Sequence, residues 1–410
     1  MSYPYDREGR FYAGRNITGY YAFHLFGNMA FWLPMYAVFF LARHLDFSTI
    51  LYLYAVNTIF QTVLELPSGL LADRWGRRPL LMMGMLMQAA GYLMIAFGNG
   101  MVWYLAGMAL HGSALAFVSG ADAAFIYDSL QAADRSGEFK EVEGRAYMYN
   151  LIGWGAGGLT GGWLAAENMS WPFLLSALAS CLAILVMATC TEPPRQSRPQ
   201  PIREIVNQSV DIVRRSRRLR AAVVLWSIII GLLLVSHKFS QPYLQQVGIP
   251  LKYFGVVYFV WLIGAAASSN FSAWAERWCG TRLYFYLLPL VAGLALIYMG
   301  IRQDLAGVVV ALGHQFAWGS LRPQMMAIVN TEAPSAARAT ILSVAGLGSS
   351  VVYILATPLI GYVADRDGFP RALLYLGLAV VILGLAASVR LARSMTSDAR
   401  RASTSEIEGD

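Results

Sequence analysis

Among the ionisable side chains inside long apolar runs of this sequence, six stand out: His24, Glu65, His111, Asp122, Lys238 and Arg322. Each is expensive in such a setting, about 2.5 to 3.5 kcal/mol on insertion scales, so each is a functional candidate by default. Burial disfavours the charged form of every one, which makes these the groups that could take up and release protons. His111 and Asp122 are eleven residues apart, about three helical turns, and share one face if the helix between them is unbroken. Ser236-His237-Lys238-Phe239-Ser240-Gln241-Pro242 is too polar for a lipid-facing turn, and its proline frees a backbone carbonyl and permits a kink. Asn28, Gln241, His314 and Trp318 are the uncharged or aromatic companions of these groups. Lys238 has two readings, a substrate or coupling group, or a structural partner for Asp122 or Glu65. Arg322 is placed to bridge to Asp122, Glu65 could instead satisfy nearby backbone, and His24 reads best as a packing histidine.

Other chemistries lack their residues. The sequence has no HExxH, no GxSxG, no P-loop and no Cys/His ligand set. Cys181, Cys190 and Cys279 imply no disulfide framework. No metal and no cofactor are expected, and ATP is not the energy source.

The elements that must position these groups follow from composition. Of 410 residues, 57% are hydrophobic and 13% charged, against about a quarter charged in soluble domains. So few charges could not cover a water-soluble surface of this size, and the chain reads as an all-α integral membrane protein. Apolar runs long enough to span occur at 17–42, 49–71, 79–98, 102–126, 145–166 and 171–190, then at 221–245, 253–275, 283–301, 305–328, 339–361 and 370–390. The expected organisation is a polar N-terminus over 1–16, a six-helix half over 17–190, a basic linker over 191–220, a second six-helix half over 221–390 and a tail over 391–410. Residues 1–16 lack the features of a signal peptide, so the first run is expected to be a retained span.

With both termini inside, Lys and Arg divide 24 to 5 between inner and outer segments, which predicts cytoplasmic termini. The net charge of +7 is thereby membrane topology, and nucleic-acid binding is not needed to explain it. Ile202, Ile205, Val206, Val210 and Val213 recur at helical spacing beside several arginines. That pattern fits an amphipathic helix over 202–220 on anionic lipid, or a plain basic linker.

An internal repeat is visible. Ala72-Asp73-Arg74-Trp75 with Gly76 returns as Ala275-Glu276-Arg277-Trp278 with Gly280, and His111 returns as His314, 203 residues on. Gly162 to Glu167 returns as Gly361 to Asp365, and Pro34 answers Pro242. Six spans per half is an even number, so the two pseudo-repeats are parallel. Gly153, Gly157 and Gly161, and Gly346 with Ser350, have the spacing of close helix packing.

The segment Gly69-Leu70-Leu71-Ala72-Asp73-Arg74-Trp75-Gly76-Arg77-Arg78-Pro79-Leu80, between the second and third spans, resembles the signature of the major facilitator superfamily. The likeness extends over the whole chain in span count, topology and halves. Glu65-Leu66-Pro67-Ser68-Gly69, Ser119-Gly120-Ala121-Asp122, Tyr127-Asp128-Ser129-Leu130 and Arg338-Ala339-Thr340-Ile341-Leu342-Ser343 further resemble its drug/proton antiporter branches. Two features depart from them: the glycine run at 153–158 continues into Leu159 where a proline is usual, and His111-Gly112-Ser113 stands where many antiporters carry arginine. The resemblance implies a twelve-helix fold whose spans 1, 4, 7 and 10 line a cavity, and a latch at the signature loop built from Gly69, Asp73, Arg74, Gly76, Arg77 and Asp128. Asp73 is expected to face the helix N-terminus near Ser335, and Arg77 to pair with Asp128.

The implied function is secondary active transport by a monomer in the plasma membrane, a bacterial inner membrane, with small-molecule substrate, protons and lipid as partners. The resemblance favours proton-coupled efflux of apolar or amphipathic compounds. Lys238, Arg322 and the two histidines favour proton-coupled uptake of a small metabolite, anionic ones included. A non-transporting membrane sensor of the same fold is the remote third reading.

Overall fold

The computed structural model describes residues 13–194 and 211–407, and among them all regular structure is helical. Helix is found at each of the twelve stretches expected from the sequence. Among the described residues, nine segments are both long and apolar enough to cross a membrane: Phe47–Glu65, Arg77–Phe97, Met101–Ala132, Trp171–Thr189, Arg217–Gln246, Leu251–Cys279, Thr281–Ile301, Thr340–Asp367 and Phe369–Met395. The remaining three stretches have clear reasons for falling short. The first breaks into α1 (Gly14–Gly27) and α2 (Tyr36–Leu41) around Pro34, whose ring cannot donate and crowds the preceding turn. The fifth, α7 (Phe139–Glu167), is 29 residues long but is diluted by glycine and by Glu141, Glu143 and Arg145. The tenth is divided into α12 (Leu305–Val310) and α13 (Leu312–Glu332).

Contacts divide the chain into two compact units, one of residues 1–44, 52–199 and 249–259 and the other of residues 45–51, 200–248 and 260–410. In unit 1, α3 (Phe47–Trp75) leads through Gly76 into α4 (Arg77–Phe97), which packs along α5 (Met101–Ser119) and α8 (Trp171–Thr189). The fourth span is completed by α6 (Asp122–Ala132), and α1 lies against α7 and α8. The core here is aromatic and thioether-rich, with Tyr20, Phe23, Met85, Phe125 and Met187 buried. In unit 2, α9 (Arg217–Gln246) packs on α14 (Ser335–Asp367) and α15 (Phe369–Ile407), while α11 (Thr281–Ile301) packs on α13 and α15. α10 (Phe254–Cys279) precedes Gly280 and α11. The first turn of α3, which clusters with unit 2, is capped by Asp365, whose two carboxylate oxygens accept from the amides of Phe47 and Ser48 at 2.8 and 3.0 Å.

Two expectations meet different outcomes. Gly153, Gly157 and Gly161 of α7 press on the backbone of residues 25 to 31, where any side chain would collide, so they form the packing surface their spacing implied. Gly346 of α14 has open space where a Cβ would sit, and its spacing there carries no packing role. Pro242 does not break α9, which continues to Gln246, whereas its repeat partner Pro34 lies in a full interruption. Most of the linker proposed as an amphipathic helix lies outside the described residues, which resume as helix at 211–215.

Candidate functional site

The signature loop is built around Gly76, whose φ of +111° is a left-handed conformation that only glycine adopts cheaply. A side chain there would also collide with Glu192, 2.6 Å from the ideal Cβ. Glu192 follows α8 and turns its carboxylate onto the first turn of α4, accepting from the amides of Arg77 at 2.7 Å and Arg78 at 2.8 Å. A carboxylate on a helix N-terminus satisfies two orphan donors and meets the positive end of the helix dipole. The Arg78 guanidinium then donates to the carbonyls of Met187 and Ala188, at the end of α8. Arg77 reaches two carboxylates, Asp73 at 3.1 Å and Asp128 at 3.5 Å. Asp73 is thus engaged inside unit 1. Arg74 is exposed, and Gly69 has open space beside it. Behind the loop, buried Asn16 donates to Ser129 and to the Thr191 carbonyl and accepts from the Thr191 amide. Glu192 and Asn16 were not singled out from the sequence. The available signal for Glu192 was a carboxylate directly after a span and before Pro193-Pro194.

Deeper in unit 1, His111 is a hydrogen-bond hub. The Asn57 amide nitrogen lies 2.8 Å from His111 Nδ1 and also donates to the Met108 carbonyl, so it is the donor and Nδ1 the acceptor. Neutral His111 therefore carries its proton on Nε2, 3.2 Å from the Tyr92 hydroxyl. Trp32 stacks edge-on to this ring at 5.5 Å and to Tyr36 at 4.9 Å. Asn28, by contrast, donates to the His24 carbonyl one turn back and finishes α1.

The fourth span is interrupted at Gly120-Ala121, so the three-turn register between His111 and Asp122 does not carry through. Asp122 opens α6, partly buried, with Oδ1 on the amide of Ala123 at 2.7 Å. Interrupted spans whose half-helix termini meet charge recur at transporter sites. Its electrostatic neighbours are Tyr20 and Glu143. The Tyr20 hydroxyl donates to Glu143 Oε2 at 2.9 Å. Neither Tyr20 nor Glu143 was recognised from the sequence, because a tyrosine and a glutamate 123 residues apart carry no local pattern. Glu65 is exposed, with its carbonyl accepting from Ser68.

In unit 2, His314 is buried on α13. Ser236 commits its hydroxyl proton to the Leu233 carbonyl at 2.8 Å, so the 2.6 Å contact with His314 Nε2 has the imidazole as donor. His237 lies edge-on to His314 at 4.6 Å and to Trp318 at 4.8 Å, and its buried Nε2 has no hydrogen-bond partner. The paired imidazoles were missed although His237 adjoins Lys238, since only the fold brings it to His314. Lys238 is partly buried in α9, Gln241 is buried one turn on, and Arg322 is exposed on α13. Among the described residues no group of three or more potential ligands could hold a metal ion.

The sequence profile of the Major Facilitator Superfamily matches residues 20–353. The chain belongs to the Major Facilitator Superfamily. It is a multi-pass membrane protein of that all-α fold. Multidrug resistance protein 2 of Bacillus subtilis (strain 168) is 27% identical over 157 residues, 38% of this chain and 38% of its own. Tetracycline resistance protein, class B, of Escherichia coli is 28% identical over 147 residues, 36% of this chain and 34% of its own. The matched segments span little more than a third of either relative. Among solved structures, nucleoside transporter NupG aligns with a TM-score of 0.74 at 14% identity, covering 92% of this chain and 98% of that one. A D-xylose-proton symporter aligns with a TM-score of 0.69 at 11% identity, covering 92% and 96%. At these identities the structures establish the fold alone.

Proposed function

We propose that this superfamily member is a secondary active transporter that couples proton flow to efflux of small apolar or amphipathic compounds, working by alternating access as a monomer. The family match across residues 20–353 is the observation that carries the transport reading. Efflux is supported by the names of the two resistance proteins it resembles. Proton coupling is supported by ionisable groups set within spans in both units, and by the lack of any nucleotide-binding motif in the sequence. The 24 to 5 asymmetry of basic residues supports a plasma membrane, a bacterial inner membrane, with both termini cytoplasmic and the 202–220 linker near anionic lipid.

The test is flux of tetracycline and of ethidium in proteoliposomes with an imposed pH difference. The expected result is movement against the proton gradient, abolished by a protonophore. Flux that follows sodium, or that ignores both gradients, overturns the reading. A second reading, proton-coupled uptake of a small, for example anionic, metabolite, is favoured by the Lys238, His237 and His314 cluster of unit 2. Thermal stabilisation by organic acids and not by apolar cations would select it, since a ligand stabilises the state it binds.

A further inference from the structure

The first turn of α3 is held by a residue from far along the chain. Asp46 stands at the N-cap position of α3, where a carboxylate ordinarily accepts from the second or third amide of its own helix. Asp46 is exposed, and among the described residues its carboxylate accepts no amide. Asp365, at the end of α14, takes the amides of Phe47 and Ser48 instead, at 2.8 and 3.0 Å. The buried Phe47 ring packs on Phe239 of α9 at 4.5 Å and on Phe369 of α15 at 6.0 Å. Gly361 has no room for a side chain against the Ser48 backbone, and Leu51 is fully buried beside it. Among the described residues no lysine or arginine pairs with Asp365, since the adjacent Arg366 turns to Asp367 at 3.8 Å and to the Tyr362 hydroxyl at 3.4 Å. The positive end of the α3 dipole is its counter-charge. Residues 45–51 belong to unit 2, although α3 from residue 52 onward belongs to unit 1.

The internal repeat shows that the fold itself does not require this clasp. Phe47 and Ser48 correspond, 203 residues on, to Pro250 and Leu251. There Gly162, the counterpart of Gly361, presses on the Leu251 carbonyl, 2.6 Å from its ideal Cβ, so the close helix approach is kept. Pro250 has no N–H to offer, and Glu167 of that copy is exposed. The helix start in unit 1 therefore forms without the two-amide cap. In unit 2 a carboxylate also stands ready at the ordinary capping position, so Asp365 is not needed merely to begin α3.

We propose that Asp365 is a releasable clasp on the first turn of α3, and that Asp46 takes over the cap when the clasp opens. The inference rests on the alternating-access reading above, on whose topology this is the outer face. With Asp365 in place, residues 45–51 move with unit 2. With Asp46 in place they are free to move with the rest of α3. Exchanging one carboxylate for another keeps a negative charge on the helix N-terminus in both forms, so opening does not strand the first turn without an acceptor. Two forms so matched differ little in free energy, which is the condition for a shift of population.

The experiment places Leu51→Cys in the full chain in lipid nanodiscs and follows its reaction with a water-soluble maleimide, read at that position by peptide mass spectrometry. Leu51 is inaccessible while the clasp is closed. Asp365→Asn is expected to speed labelling about tenfold, because it weakens two charge-assisted bonds. Asp46→Asn is expected to slow it about fivefold, because it weakens the cap of the open form and leaves the closed form untouched. A carboxylate that only stabilised the helix start would speed labelling when lost from either position. An unchanged rate in either variant, or a rise in both, overturns the proposal. Should Leu51→Cys fail to fold, hydrogen exchange of residues 45–51 in the chain without it decides by the same opposite signs. No transported compound is needed, so a clasp that does not open and a failed flux assay are separate outcomes.

Discussion

His111 and His314 occupy the same position of the internal repeat, 203 residues apart, yet they are held in opposite ways. His111 is fixed from both sides of its ring, by the donating nitrogen of an amide and by a phenol. To take a second proton it would have to turn the Asn57 amide away from Met108. His314 has one nitrogen settled by Ser236 and its ring set against a second imidazole whose Nε2 has no partner. The signature loop and its repeat copy differ in the same sense. Gly76 is clamped by Glu192, while Gly280, also left-handed at φ +82°, has open space around it. There the carboxylate of Glu276, the counterpart of Asp73, accepts from the Thr281 hydroxyl at 2.8 Å. Duplication has preserved position and backbone conformation, while the surrounding side chains assign different work to the two copies.

The glycines offer the strongest way to break that comparison. Gly76→Ala forces a left-handed conformation and drives a methyl group into Glu192, and should destabilise by about 2 to 4 kcal/mol, whereas Gly280→Ala meets only the backbone penalty, about 1 kcal/mol. Thermal melts of the two variants in the same detergent measure the difference, and equal losses would mean the clamp adds nothing. Glu192→Gln should follow, at about 1.5 to 3 kcal/mol, because it weakens two charge-assisted bonds to helix amides.

The histidines come next. Asn57→Leu leaves His111 Nδ1 without its donor and should cost about 1 to 3 kcal/mol. Ser236→Ala should cost about 1 kcal/mol, because it removes one bond from His314 in a cluster already incompletely paired. If Ser236→Ala proves the more damaging, the assignment of a locked and an open histidine is reversed.

The smallest effect is expected at the short helical turn Ser136–Glu138, outside the spans. Hydrogen bonds from Arg135 at 2.7 and 2.6 Å hold the exposed Glu138 carboxyl below its usual range. A lowered folded-state value means the pair contributes above the ordinary glutamate range and is lost as pH falls through the folded value. Glu138→Gln should therefore melt marginally lower at neutral pH and coincide with the parental protein in acid. A difference that grows on acidification would contradict this.

Composition alone determined that the chain is a membrane protein. With 57% hydrophobic and 13% charged residues, no soluble surface could be completed. The repeat and the signature residues determined the family fold, because glycine at a left-handed corner and charges at helix ends are local requirements written in adjacent positions. The pairing of Arg77 with Asp128 was legible for the same reason, each residue lying at the end of a recognisable span. What surrounds each charge was decided by tertiary structure. Glu192 reaches Gly76 across 116 positions, His237 finds His314 through the packing of α9 and α13, and Tyr20 joins Glu143 from α1 to α7. Nor could helical spacing relate His111 to Asp122, because the helix between them is interrupted at Gly120-Ala121. Periodicity reports which face of a continuous helix a residue occupies, and the partner opposite that face is chosen only when helices distant in sequence come together.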